Sequence, residues 1–103
     1  MSIIDEIHGE LGGDLENLDA DYHDSEIARG VIVKMGGIRN DFLEIVQYDD
    51  RIIVEHHGHG ATYFNADSAE FSSEVDEERE TEYIEISDGD TMWRASRHTS
   101  YAQ

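Results

Sequence analysis

The chain has 103 residues and carries 25 Asp and Glu against 7 Lys and Arg, a formal charge of −18. That length suits one domain with a modest core and leaves no room for two. A surface this acidic works against phosphate binding, so nucleic-acid binding is not expected. No apolar run approaches the ~18 residues of a membrane span, and with no cysteine the chain has neither disulfides nor thiolate metal sites. The opening Met-Ser-Ile-Ile-Asp-Glu has no basic region and no long apolar stretch. A secretory signal is therefore not expected, and a cytoplasmic setting is.

Eleven isoleucines, five valines and nine aromatics in alternating patterns argue for a packed fold rather than a disordered polyanion. Two explanations of the charge then compete: a carboxylate array imitating nucleic acid, and adaptation to concentrated salt. In molar salt the Debye length falls to about 3 Å, so repulsion between surface carboxylates is largely screened. Asp and Glu then keep the surface hydrated at little electrostatic cost. A mimic has no reason to avoid lysine, yet Lys34 is the only one. The composition resembles that of cytoplasmic proteins of salt-in halophiles such as haloarchaea, and salt adaptation is the favoured expectation.

Ile3, Ile4, Ile7 and Leu11 fall at helical spacing, with Ser2 and Glu6 forming an acidic first turn and Gly12-Gly13 a stop. Leu15, Leu18 and Tyr22 at i, i+3, i+7 predict a second short helix. From Ile27 the period changes to two, and Ile27–Met35 reads as a strand ending at Gly36-Gly37. Phe42–Tyr48 and Arg51–His57 read as a hairpin about Asp49-Asp50. A two-residue loop there pairs Val46 with Ile53, Ile45 with Val54, Leu43 with His56 and Glu44 with Glu55. The rival is a helix over 41–49 with Phe42, Ile45 and Val46 on one face.

Ala61–Asn65 reads as a short strand. Ser68–Glu82, behind Asp67-x-x-Glu70, has Phe71 and Val75 at i, i+4 and reads as a helix whose acidic second half frays or forms a solvated loop. Glu82–Ser87 and Thr91–Arg97 form a hairpin about Asp88-Gly89, a pair that suits a type I′ turn. A two-residue loop sets Ile84 opposite Trp93 and Ile86 opposite Thr91 on one face, with Tyr83–Arg94 and Glu85–Met92 on the other. The fold expected is a single α+β domain: an antiparallel sheet of about five or six strands with short amino-terminal helical segments. A small all-β roll or barrel is the alternative.

The one concentration of chemistry-bearing residues is His56-His57-Gly58-His59-Gly60. On an extended strand Glu55, His57 and His59 share a face, with successive members ~7 Å apart and glycines able to bend the segment. Such a His/His/carboxylate set suits a divalent zinc, nickel or iron ion. The His-x-His element is similar to the metal motif of cupins, but the segment that follows lacks the glutamate of that pattern, so no cupin function is implied. The simpler alternative is a solvent-exposed, histidine-rich strand end.

Met92–His98 is the most basic stretch, and Trp93, Arg94 and Arg97 are residue types that dominate partner-binding patches; the preferred reading is a core Trp93 with arginines paired to nearby acids. Asp19–Asp24 begins like a calcium loop, but Asp24 stands at the glycine position and Gly30 at the bidentate glutamate position. The function expected is a small non-enzymatic binding module in a high-salt cytoplasm, with an unspecified protein partner. A metal-binding protein using Glu55, His57 and His59, and an acidic nucleic-acid mimic, are the alternatives.

Overall fold

The computed structural model describes residues 3–19, 27–36, 41–48 and 50–101. Among these, helix α1 (Ile3–Leu11) precedes eight strands: β1 (Asp14–Asp19), β2 (Ile27–Lys34), β3 (Phe42–Gln47), β4 (Arg51–His56), β5 (Gly60–Asn65), β6 (Glu70–Asp76), β7 (Thr81–Ser87) and β8 (Met92–His98). They form a five-stranded sheet in the order β1-β2-β3-β4-β5 and a three-stranded sheet in the order β6-β7-β8, both antiparallel. The fold is therefore α+β, as the sequence predicts, and neither sheet closes into a barrel. The larger sheet has the expected five strands, and three further strands among the described residues form a second sheet.

A nine-residue helix is marginal alone and depends on the face it buries. Here Ile4, Ile7 and Leu11 are all buried, and α1 touches β2, β3 and β6, so it bridges the two sheets. Gly12 and Gly13, with φ of 73° and 94°, end it in a conformation L side chains resist. At Gly13 the backbone also lies so close to β2 that a Cβ would run into the Ile32 carbonyl.

Three sequence expectations are corrected. The second helix does not form: Asp14–Asp19 is β1, paired along its length with β2 from Asp14↔Ile32 to Asp19↔Ile27. Two leucines give little to a helix, whereas the edge of β2 offers hydrogen bonds to every second residue. The helix at 68–82 is likewise absent, because β6 and the start of β7 occupy that segment around a turn at 77–80. Phe71 and Val75, four apart, share a face in a strand as well as in a helix, so their spacing does not discriminate.

The third correction concerns the last hairpin, whose register is shifted by two residues. Ile86 faces Trp93, Ile84 faces Ala95, Glu85 faces Arg94 and Glu82 faces Arg97, leaving a four-residue loop at 88–91. The Asp88 carboxylate explains the longer loop: Oδ1 accepts from Asp90 N at 3.0 Å and Thr91 N at 2.8 Å, and Oδ2 from Asn65 N at 2.9 Å. These backbone donors, Asn65 first, hold its pKa below the usual aspartate value.

The β3–β4 hairpin has the predicted register in every pair, including Glu44↔Glu55, and the rival helix at 41–49 does not form. Gly37, Asp49, Tyr22 and most of the 19–24 segment lie outside the described residues.

Both sheets and the helix feed one core. Val31, Val33, Leu43, Ile45, Ile52, Val54 and Phe64 come from the five-stranded sheet, and Phe71, Ile84 and Ile86 from the three-stranded one. Each fully buried aliphatic contributes about 1.5–3 kcal/mol. One ion pair lies among them: Arg97 Nε donates to Glu82 Oε1 at 2.6 Å, with both residues 4% exposed. Arg97 also donates to the carbonyls of Leu11 (3.0 Å) and Lys34 (3.1 Å), so one guanidinium ties β7 and β8 to the end of α1 and of β2. The Leu11 carbonyl is one that a helix C-terminus leaves unpaired within the helix.

Candidate functional site

Strand alternation separates the three neighbouring imidazoles. His56 ends β4 on the row of Val33 and Leu43, both buried, so it points inward at the rim of the core. A polar ring there needs a partner, and it has one. His56 Nε2 lies 2.9 Å from Asp41 Oδ1, with side-chain exposures of 17% and 43%. Asp41 is itself fixed by its backbone: its carbonyl accepts from Met35 N at 2.9 Å and Gly36 N at 3.2 Å. The carboxylate occupies space that a side chain at Gly36 would need, since a Cβ there would lie 2.7 Å from Oδ2.

The chain then turns through Gly58 and Gly60, with φ of 84° and 98°, and His59 N donates to His56 O at 2.8 Å. The His59 ring consequently folds back over His56, with centroids 4.3 Å apart. Trp93 of the other sheet meets His56 edge-on at 6.5 Å. His57 instead stacks on Phe42 at 4.8 Å, and its N–H donates to Phe42 O.

Glu55, His57 and His59 are therefore not brought together as a ligand set. Glu55 stands opposite Glu44 in the β3–β4 ladder, His57 goes to Phe42 and His59 to His56. Among the described residues no group of three or more His, Asp or Glu is arranged to hold a metal ion. The glycine turn breaks the alternation on which that grouping depends. The Asp41–His56 contact is a carboxylate orienting an imidazole: His56 donates Nε2–H to Asp41 in its charged form and in one neutral tautomer.

Trp93, Arg94 and Arg97 are also divided. Trp93 is half-buried against the core, and Arg97 is buried with Glu82. Arg94 faces outward, donating to Glu85 Oε1 at 2.7 Å. It lines a shallow groove of about 500 Å³ on the outer face of the three-stranded sheet, with Ser72, Glu74 and Tyr83. On the five-stranded sheet, Glu44 has a pKa above the usual glutamate value, first because it is partly buried and then because of the like charges of Glu55, directly opposite it, and Glu16.

The feature that the linear sequence conceals is the free edge at β5. Ala66 N donates to Asp50 O, so the even-numbered groups of β5 point at β4. Arg51 O is taken up by Tyr48 N on the β3 side, and Asn65 N by Asp88. The odd-numbered groups of β5 thus face outward. Among the described residues this leaves the N–H and C=O of Ala61 and Tyr63 on an open edge, with Tyr63 62% exposed. Of the eight strands among the described residues, β5 alone carries no charged residue. Edge strands are usually protected by charge, proline or a bulge; β5 itself, in a chain of −18, has no charged residue and no proline, and the Asp88 carboxylate caps it only at Asn65.

No family model, curated protein or solved structure matches the chain. Among the described residues no helix is long and apolar enough to cross a membrane.

Proposed function

We propose that the chain is a small, non-enzymatic binding module that works in concentrated salt and engages its partner by strand addition at β5. The observation that carries this reading is the edge of β5 at Ala61 and Tyr63, in a strand with no charged residue and unpaired among the described residues, in an otherwise strongly acidic chain. Strand addition takes its affinity from main-chain hydrogen bonds and its specificity from alternate side chains. It also tolerates salt, because apolar contacts and amide hydrogen bonds are not screened as exposed ion pairs are. The carboxylates keep such a protein soluble while the neutral edge is left for contact.

Two measurements test the reading. The melting temperature should rise from dilute buffer to several molar KCl, because self-repulsion erodes a stability margin of only ~5–15 kcal/mol; a flat or falling curve contradicts salt adaptation. In molar KCl, an uncharged six-residue peptide alternating Thr and Val, titrated into ¹⁵N-labelled protein, should shift the Ala61 and Tyr63 amides. No shift at either amide contradicts strand addition.

A further inference from the structure

We infer that the strand received at the β5 edge is β5 of a second copy, paired antiparallel about a two-fold axis at Thr62. The inference rests on the strand-addition reading above and names its occupant.

Three observations carry it. First, the available backbone groups are self-complementary. With Thr62 on the axis, Ala61 faces Tyr63 of the other copy, and Tyr63 faces its Ala61. Each residue's outward N–H and C=O then meets a partner, giving four bonds and using all four groups that each copy leaves open on these two residues. Second, the edge is closed beyond Tyr63, because Asn65 N is already held by Asp88 at 2.9 Å. Pairing is thereby confined to the central residues, which favours this register over longer sliding alignments.

Third, the side chains suit like meeting like. Thr62 continues the inward row Val31–Ile45–Val54, and Thr–Thr is a favourable cross-strand pair. On the other face the exposed Tyr63 ring meets Ala61, one of the smallest residues available. Gly60 has nothing near its Cβ position to obstruct approach. No charge on β5 opposes its own copy. What opposes dimerisation is the −18 on the rest of each chain, and molar salt screens that repulsion. Self-pairing must then strengthen with salt. An extended cationic partner drawn by the same charge would bind more weakly as salt rises.

Sedimentation equilibrium from dilute buffer to several molar KCl tests this. The mass should move from the 11.7 kDa chain toward twice that value as KCl rises. Tyr63→Pro, which removes one outward N–H from an edge strand and no bond to β4, should keep the mass single at all salt concentrations.

The native chain has no cysteine, so a single introduced thiol gives a second readout independent of that variant's folding. Thr62→Cys should oxidise to a covalent dimer in molar KCl at least tenfold faster than Tyr63→Cys. In the proposed register the Thr62 pair is directly opposed and the Tyr63 pair is diagonal. A single mass at every KCl concentration overturns the inference, as does a folded Tyr63→Pro that still dimerises, or equal crosslinking of the two cysteine variants. If the Thr-Val peptide binds Ala61 and Tyr63 while the protein stays monomeric, strand addition stands and the second copy is excluded.

Discussion

The two faces of the three-stranded sheet carry the same ion pair in opposite surroundings. On the outer face Arg94 Nε meets Glu85 Oε1 at 2.7 Å, with side chains 72% and 32% exposed. On the inner face Arg97 Nε meets Glu82 Oε1 at 2.6 Å, with side chains 1% and 6% exposed. The distances are nearly equal, yet the energetics are not. Water screens the outer pair, whose worth is typically 0–1 kcal/mol. The inner pair has lost its hydration, which costs several kcal/mol per ion, and is offset by mutual attraction and by the Leu11 and Lys34 carbonyls. Contact geometry alone therefore does not rank these pairs. Burial does, and it also fixes register: Arg97 faces Glu82 only when the 88–91 loop has four residues.

Breaking the inner pair should produce the largest effect. Arg97→Ala leaves a buried glutamate uncompensated and two carbonyls without their donor, and should cost about 3–5 kcal/mol in denaturant unfolding. Replacing both partners with apolar residues, Glu82→Met with Arg97→Leu, should recover most of that loss. Failure to recover would mean that the carbonyl bonds, rather than the paired charges, hold the site.

Trp93 sharpens the comparison from the apolar side of the same strand. It is half-buried, so Trp93→Ala should cost less than the ~3–5 kcal/mol of a fully buried aromatic. Its native fluorescence should lie between buried and solvated indole. Breaking the outer pair should matter least among these β8 changes. A double-mutant cycle on Glu85 and Arg94 should give a coupling of about 0–1 kcal/mol that vanishes in molar KCl.

A like-charge contact completes the series with the opposite sign. Glu44 faces Glu55 and is partly buried, and its folded pKa is raised above 4.5. Its protonated form therefore favours the fold. That contribution is present below the ordinary glutamate range and is lost as pH rises through the raised value. Glu44→Gln should stabilise the protein at neutral pH by less than about 1 kcal/mol, and the gain should shrink in molar KCl. Thermal melts of both proteins at acid and neutral pH should show the gap closing in acid.

How much of this was readable from the sequence depends on the range of the deciding interaction. The β3–β4 register follows from local alternation and a tight loop, and all its predicted pairs form. In the last hairpin, alternation correctly sends Ile84, Ile86 and Trp93 inward and Arg94 outward, because a two-residue slip preserves faces. The slip itself came from Asp88 accepting loop N–H groups and bonding a distant strand, which periodicity does not register. For the same reason the sequence, which suggests arginines paired to nearby acids, does not single out Glu82 as the partner of Arg97. The predicted Leu43–His56 pairing already placed His56 on a core row, but nothing local pointed to Asp41, 15 residues earlier, as its partner. The open β5 edge is a property of strand order, which no single segment encodes.

The reach of Arg97 also dictates the order in which the fold can be completed. Its bonds to Lys34 and Leu11 span 63 and 86 residues of chain. During synthesis, the carbonyl end of the amino-terminal helix and the end of β2 wait for their donor until β8 has left the ribosome. Contacts so distant in sequence are closed late, after much loop entropy has been lost. The five-stranded sheet can pair progressively as it emerges, whereas docking of the helix against both sheets should coincide with arrival of β8. Nascent chains stalled before residue 97 should accordingly remain sensitive to protease throughout α1, and release of β8 should protect both ends of the chain in a single step.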